Sequence, residues 1–165
     1  TINDAGDFVY SFPMCHHLYV KDKNGQISKM PAESKYALGV TIRKNTAFAD
    51  NIDETKAYIE GYAYRFIIFD KYRKVYYRFV HHPMEYINPS NGLARRIEDK
   101  PESIIILDGN FNKIGEYKLP VGKYWTENYF VNSEGLWISN NHPDNPDLDE
   151  NFLSFTLFKL SNNKD

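Results

Sequence analysis

YAYRFIIFDKYRKVYYRFV, residues 62–80, decides the fold of this chain because it predicts two β-strands joined by a tight turn. Phe66–Phe69 and Val75–Val80 are runs of β-branched and aromatic residues, which fit a pleated, half-buried sheet surface. The segment between them is polar and charged, and it begins with Asp70, a residue type that starts turns. We therefore expect an antiparallel β-hairpin over these residues.

The same pattern recurs along the chain. An apolar strand ends at an Asp or Asn, a short polar turn follows, and an apolar strand returns four to six residues later. The side chains of Asp and Asn accept hydrogen bonds from backbone amides two residues on, which is why they initiate turns. The turn-initiating residues are Asp22, Asp70, Asp108 and Asn132. We interpret the recurrence as internal repetition, although unrelated hairpins would share the same local pattern.

Grouping the hairpins gives three consecutive antiparallel blocks, at approximately residues 7–31, 62–120 and 125–160, within a single domain over residues 1–165. The middle block has four strands, whereas the first lacks its innermost strand and the last lacks an outer one. Consecutive four-stranded sheets are typical of a β-propeller. We predict an all-β fold, a partial β-propeller with about three blades of six. Its ring would be closed by missing N-terminal blades or by a second copy.

One short helix and one weaker strand complete the predicted elements. Residues 51–61 favour a helix because Asn51 or Asp53 can cap its first amides and Gly61 can take the left-handed position at its end. Tyr36–Arg43 is a weaker strand candidate. Residues 84–101 form a polar connector, and a connection of this length is a place where function can reside.

Composition excludes several classes of protein. The net charge is −2 and no face is strongly basic, which argues against nucleic acid as a partner. The single cysteine, Cys15, excludes an intrachain disulfide and a cysteine-based metal site. No apolar run approaches the roughly 20 residues of a membrane span, and no signal peptide is present. Because the sequence starts at Thr1 rather than Met, we expect a processed, tagged or truncated piece.

Three stretches resemble an uncharacterised family of TolB-like, six-bladed β-propeller lipoproteins of Gram-negative gut bacteria, grouped as a domain of unknown function. They are YRFIIFDKYRKVYYRFVHHP (64–83), SIIILDGNFNKIGEYKLP (103–120) and GLWISNNHPDNPDLDENFLSFTLFKL (135–160). The resemblance is to the C-terminal half of the family's chain and covers about Asp7–Leu160. It implies a location in the cell envelope, in the periplasm or at the outer-membrane surface. It also implies a lipid anchor upstream of Thr1, and it brings no established activity.

An aromatic and arginine set is the candidate binding surface: Tyr72, Arg73, Tyr77, Arg78 and Trp125. Aromatic faces and planar donors suit sugars or peptides, and these residue types are enriched at binding hot spots. The expected partner is an unknown ligand, either a glycan, a peptide or an envelope protein. The alternative is that one alternate set of this hairpin belongs to the core and the other covers neighbouring blades.

An acidic segment near the C-terminus is the candidate metal site, with His142, Asp144, Asp147 and Asp149 as ligands. Calcium binds several hard oxygen ligands, which such a loop can supply. The spacing is not that of an EF-hand loop, so a solvated connector is the competing interpretation. Calcium or another divalent metal is therefore the one cofactor considered. The paired histidines at 16–17 and 81–82 read as ordinary surface or strand-end residues.

No motif of a catalytic nucleophile is present, since G-x-S-x-G, H-E-x-x-H and a phosphate-binding glycine loop are all missing from the sequence. We therefore expect a protein of unknown function that serves as a non-enzymatic ligand- or protein-binding module. The alternative is a metal-assisted hydrolase or lyase of the six-bladed propeller type. That alternative depends on analogy between folds, and a fold does not fix a function.

Overall fold

The computed structural model describes residues 1–37 and 51–161, with the backbone alone for residues 51–53. Contacts divide the chain into two compact units, Thr1–Lys118 and Leu119–Asp165, and each is described by itself. The single domain over residues 1–165 stays a prediction. The strand predicted at Tyr36–Arg43 lies outside the described residues from position 38 onward, and Tyr36 itself is in a turn.

The first sheet of unit 1 has the antiparallel order β1-β2-β3. Its strands are β1 (Phe8–Ser11), β2 (His17–Lys21) and β3 (Ile27–Pro31). The sheet has three named strands, as the sequence predicts for this block, and one further pairing lies before β1. Ile2 forms a β-bridge with Phe8, and the backbone of Thr1 exchanges hydrogen bonds with Val9 at 2.9 and 3.0 Å. Thr1 and Ile2 are therefore paired with β1 on the side away from β2.

The second sheet of unit 1 has four strands in the antiparallel order β4-β5-β6-β7. They are β4 (Ala63–Asp70), β5 (Val75–His81), β6 (Glu102–Leu107) and β7 (Lys113–Lys118). Every residue of β5 is buried, which explains why its aromatic and apolar residues, interrupted by Arg78 and followed by His81, do not alternate with polar ones. The helix α1 (Asn51–Ile59) lies within the predicted range, and a 3-10 turn covers Ile97–Asp99.

Unit 2 contains one sheet with the antiparallel order β10-β9-β8. Its strands are β8 (Trp125–Val131), β9 (Leu136–Ser139) and β10 (Phe155–Phe158). Strand β8 begins four residues before the predicted start at Tyr129, and its pairing with β9 is irregular between Trp125 and Tyr129. Leu136 and Ile138 on β9 are fully enclosed and form the centre of this sheet's buried face.

The predicted role of the Asx residues at the turns is confirmed. Each side-chain oxygen accepts hydrogen bonds from two backbone amides, at 2.8–3.2 Å, two to four residues further on. Asn3, which was not predicted, does the same with the amides of Ala5 and Asp7. The unit "strand, Asx turn, strand" therefore occurs four times in the described residues, at Asp22, Asp70, Asp108 and Asn132, and Asn3 forms the same kind of turn between the bridged Ile2 and β1.

The all-β class is confirmed, since three antiparallel sheets of three or four strands account for the regular structure together with one α-helix among the described residues. Most predicted strands lie within a few residues of the observed bounds. Within residues 1–37 and 51–161, no helix combines the length and the apolar character that crossing a membrane would require.

Gly135 follows the Asn132 turn and lies directly against β10. A Cβ atom there would be 2.4 Å from the carbonyl oxygen of Phe158 and 2.5 Å from a methyl carbon of Leu157. We therefore expect Gly135→Ala to destabilise unit 2 by about 1–3 kcal/mol, as overpacking does. Hydrogen exchange of the β8–β10 amides measures this loss directly.

Gly115→Ala on β7 is the matched control, because its Cβ would be 3.6 Å from a methyl carbon of Ile106, an ordinary contact. Its amide protection should stay close to that of the wild type. Unchanged protection of β8–β10 in Gly135→Ala would show that β10 can move away from the turn.

Candidate functional site

Long connections meet at one end of the second sheet. Ala63, His81 and Glu102 are neighbours there, because Ala63 pairs with His81 and His81 pairs with Glu102. The chain enters β4 at this end, and residues 82–101, here called the connector, join β5 to β6. The opposite end carries only the tight turns at Asp70 and Asp108. Binding residues concentrate on long loops held by a rigid scaffold, so the connector end is the candidate functional site.

Lys100 fixes the connector to helix α1. Its ammonium group is buried and donates to the carbonyl oxygens of Tyr58, Ile59 and Gly61 at 2.6, 2.8 and 2.7 Å. These carbonyls end the helix, where a cation is favoured by the helix dipole. Burial lowers the pKa of Lys100 to about 8. Lys100 therefore serves as a side-chain cap that holds the connector in place.

His81 lies between a phenol and a carboxylate. Its Nε2 is 3.3 Å from Oε1 of Glu102, and its Nδ1 is 3.2 Å from the hydroxyl of Tyr58. The guanidinium of Arg65 lies 3.5 Å from the same Glu102 oxygen. Burial lowers the pKa of His81, and Glu102 opposes that shift. Groups of this kind can relay protons, but the His81 ring is enclosed, so the arrangement joins α1 to β5 and β6.

His82 begins the connector and is also enclosed. The edges of the Tyr36 and Tyr62 rings pack against it, with ring centroids at 5.7 and 5.6 Å. Its Nε2 is buried and has no hydrogen-bond partner among the residues that the structure describes. Burial, with a smaller contribution from the ammonium of Lys118, lowers the pKa of His82 to about 4. His82 is therefore neutral at pH 7.

The connector presents exposed aliphatic side chains on a hydrogen-bonded frame. Ile87, Leu93 and Ile97, here called the connector surface, are each more than 40% exposed. The frame consists of a bridge between Ile87 and Ala94 and of Asx turns at Asn88 and Asn91. An ion pair of 2.7 Å between Arg96 and Asp99 braces the following turn. The connector surface is thus held in place by local hydrogen bonds.

The predicted aromatic and arginine set does not form one surface. Tyr72 is half exposed at the turn between β4 and β5, and Arg73 beside it forms a 2.8 Å ion pair with Asp70. Tyr77 is enclosed and its hydroxyl lies 3.2 Å from the same carboxylate of Asp70. Trp125 belongs to unit 2, where its ring centroid is 6.0 Å from that of His142. A binding role for these residues stays a prediction.

Arg78 is fully buried between the two sheets of unit 1. Its guanidinium donates to Oγ of Ser11 at 3.0 Å and to three main-chain carbonyls at 2.6–2.8 Å. Those carbonyls belong to Cys15, His16 and Ala32. The guanidinium also stacks on Tyr64, 3.7 Å from the ring centroid. Burial lowers the pKa of Arg78 to about 10. The residue connects the first sheet to the second and is not at the surface.

The predicted metal ligands are only partly brought together. His142 Nδ1 accepts the backbone amide of Asp144 at 3.1 Å and lies 3.9 Å from its carboxylate. The carboxylate of Asp149 accepts hydrogen bonds from Asn151, and the amide of Asp147 bonds to Asn145. Nowhere in the described ranges do three His, Cys, Asp or Glu side chains converge as metal ligands. Metal binding by these residues therefore stays a prediction.

The contributions of Lys100, Glu102 and Tyr58 were not predicted from the sequence. Each depends on contacts between segments more than 20 residues apart, which local patterns do not reveal. The sequence offers one usable signal, since a polar connector of this length is a place where function can reside. The adjacent histidines 81 and 82 were read as surface or strand-end residues, and they lie at a strand end but inside the protein.

Comparison with known proteins places the chain among proteins of unknown function. Residues 1–118 match the family model of a domain of unknown function, DUF4221. A crystal structure of a DUF4221 family member from Bacteroides vulgatus is similar, with 36% identity and a TM-score of 0.85. The similarity covers 96% of this chain and 44% of that chain, so this chain spans less than half of that length. No curated protein is significantly similar.

The comparisons confirm the prediction of a family of unknown function. The six-bladed TolB-like architecture, the lipid anchor and the origin in gut bacteria stay predictions.

Removal of the Arg78 guanidinium should loosen the packing of the two sheets in unit 1. Arg78→Met leaves several buried acceptors without a donor, so we expect a loss of about 3–5 kcal/mol in the free energy of unfolding. Arg78→Lys keeps the charge and part of the donor set and should lose less. Arg96→Met, at a half-exposed ion pair, is the control and should cost below about 1 kcal/mol. Equal stability of Arg78→Met and Arg96→Met in urea would contradict this role.

Acid should destabilise the protein partly through His82. Its pKa in the folded state, about 4, lies below the ordinary value of 6.5, so the unfolded chain binds more protons between these pH values. Stability is then lost as pH falls, by up to about 1.4 kcal/mol per pH unit. His82→Phe should reduce that slope in urea unfolding between pH 6.5 and 4.5, because it removes the group. His17→Gln, which removes an exposed imidazole, is the variant with which the slope of His82→Phe is compared. An unaltered slope in His82→Phe would assign the acid sensitivity to other groups.

Proposed function

Since the chain belongs to the DUF4221 family, we propose that it is part of a β-propeller of the cell envelope that binds another protein or peptide through the connector surface, without catalysis. The family itself has no assigned function, so the proposal depends on the geometry of this chain. The resemblance of the sequence to TolB-like lipoproteins is what suggests the envelope location, with a lipid anchor elsewhere in the longer protein.

Three features support a propeller. The described residues form consecutive antiparallel sheets. One strand pair in each three-stranded sheet and two pairs in the four-stranded sheet are joined by Asx turns of one kind. The solved family member is more than twice as long as the part that matches this chain, which gives room for further sheets. Propellers repeat four-stranded sheets in this way around a central axis.

The connector surface is the observation that carries the binding function. Single exposed apolar residues are normal, but Ile87, Leu93 and Ile97 lie on one 20-residue segment that is held by its own hydrogen bonds. Contiguous exposed apolar patches mark sites of protein interaction, and these three side chains lie within eleven consecutive residues of the sequence. A surface already held in its bound shape loses less conformational entropy when a partner binds. An aliphatic surface also fits a peptide or protein better than a polar glycan.

Several buried ionisable groups in unit 1 are committed to structural contacts, which favours binding over catalysis. The clearest case is Glu116 on β7. Its carboxylate accepts hydrogen bonds from the hydroxyls of Ser34 and Ser103, the amide of Lys35 and the ammonium of Lys113, at 2.5–3.0 Å. These contacts lower the pKa of Glu116 against the effect of burial. Such a carboxylate fastens loop to sheet and has little capacity left for substrate.

A displayed peptide library selected on the 165-residue protein tests the proposal. Peptides that bind the wild type should lose at least about tenfold in affinity, 1.4 kcal/mol, with Leu93→Asp at the connector surface. Tyr72→Ala, at the opposite end of the same sheet, is the matched variant and should keep the affinity. Both variants change exposed side chains and should fold normally.

Loss of affinity in Tyr72→Ala alone would move the binding site to the predicted aromatic set.

A panel of ester, glycoside and lyase substrates, each with CaCl2, ZnCl2 or EDTA, addresses catalysis. Turnover that requires the metal and is lost in His142→Ala would overturn the non-enzymatic function.

A further inference from the structure

The first sheet has one covered face and one open face. Val9, Leu18 and Val20 lie on the covered face and belong to the core of unit 1. The opposite face, here called the open face, consists of Phe8, Tyr10, Phe12 and Tyr19. Phe8, Tyr10 and Phe12 are 46%, 42% and 49% exposed.

The rings of the open face form a continuous apolar row. The centroids of Phe8 and Tyr10 are 6.4 Å apart, as are those of Tyr10 and Phe12, with the ring planes nearly parallel. Tyr19 on the next strand meets Phe12 edge-on at 5.5 Å. Stacked aromatic side chains bury large apolar areas when they are covered. The row is therefore the kind of surface that a partner covers.

The register of the two sheets shows which residues are equivalent. In both, an Asx turn is followed by a strand that pairs with the residue just before the turn, with Asn3 and Asp70 as the turn-initiating residues. Ile2 is opposite Phe8, and Phe69, which also precedes the Asx residue, is opposite Tyr76. Counting from these pairs makes Phe8 equivalent to Tyr76, Tyr10 to Arg78, and Phe12 to Val80.

The next strands confirm that register. Tyr10 pairs with Tyr19, and Arg78 pairs with Ile105, so Tyr19 and Ile105 are equivalent. Counting three residues further along each strand arrives at Asp22 and Asp108, which initiate the next turn in each sheet. The equivalence therefore holds across two strands and two turns, without any adjustment.

Equivalent positions have opposite exposure in the two sheets. Tyr76, Arg78, Val80 and Ile105 are at most 1% exposed, whereas their equivalents form the open face. In the second sheet these positions are covered by the first sheet, through Val9, Leu18 and Val20 and through the bonds of Arg78. The open face is thus the same face of the repeating unit, without its cover.

We propose that the open face is an inter-sheet interface, covered in the longer proteins of the family by another antiparallel sheet that presents aliphatic residues as Val9, Leu18 and Val20 do. The inference rests on the propeller architecture proposed above, but not on the connector surface. The packing of the first sheet on the second shows how the covering sheet would lie on the open face. The solved Bacteroides vulgatus chain, of which the matched part is 44%, has enough additional residues to supply it.

Thiol labelling tests this interface. In the 165-residue protein with Cys15→Ser, Tyr10→Cys should react with a maleimide about as fast as Asn24→Cys in the exposed turn. Val20→Cys, on the covered face, should react slowly. In the Bacteroides vulgatus protein, a cysteine at the position aligned with Tyr10 should react at least about 100-fold more slowly than one aligned with Asn24, because a covered site reacts only on opening.

Equal rates at those two positions of the longer protein would overturn the proposal. Slow labelling of Tyr10→Cys in the 165-residue protein that becomes fast on dilution would also overturn it, because the occupant would then be a second copy. Circular dichroism of each variant shows whether it is folded. These readouts are independent of peptide binding, so failure of the interface and failure of the connector surface can be told apart.

Discussion

A guanidinium enclosed in protein must satisfy its donors, because the loss of its hydration is costly unless hydrogen bonds replace it. Arg78 meets this requirement with neutral acceptors: one hydroxyl, three main-chain carbonyls and the face of Tyr64. The carbonyls of Cys15, His16 and Ala32 can all reach the Arg78 guanidinium only when the segments on either side of β2 and β3 are fixed relative to β5. The packing of the first sheet on the second is therefore tied to the geometry of one cation.

The same junction is extended by Tyr64 and Glu116. The hydroxyl of Tyr64 accepts the amide of Ser34 and lies 2.6 Å from Nδ1 of His16, while Glu116 accepts both the hydroxyl of Ser34 and the amide of Lys35. The segment after β3 is thus held from both sides by residues of the second sheet. Polar groups that satisfy one another in a low-dielectric interior specify one arrangement more strictly than apolar contacts do. This network explains why polar side chains are placed between two sheets.

Local chemistry explains how much of the fold could be predicted. An Asx turn depends on residues within four positions, so Asp22, Asp108 and Asn132 could be assigned from the sequence, and the strands beside them followed. The burial of Tyr77 and Arg78 could not be predicted from the sequence. Strand β5 is covered on both faces, so its sequence has no alternation of apolar and polar residues that would separate a buried face from an exposed one. The sequence also does not show whether the carboxylates near His142 converge on one point. Side chains of this loop accept hydrogen bonds from backbone amides two residues further on, as His142, Asn145 and Asp149 do. The role of Lys100 depends on a helix end about 40 residues away.

The two ends of each sheet differ in how much the length of their connections can change. A turn of two to five residues closed by an Asx side chain admits almost no change in length, because each amide has a fixed acceptor. The connection from the second to the third strand has no such restriction, and lengthening a loop costs little free energy. It comprises residues 82–101 between β5 and β6 and residues 140–154 between β9 and β10, and the corresponding connection in the first sheet, between β1 and β2, is only residues 12–16. Within this chain, length therefore varies most in one kind of connection, and its longest example carries Ile87, Leu93 and Ile97. The short Asx turns at one end maintain the sheet, and the longer connections at the other end are free to acquire a partner.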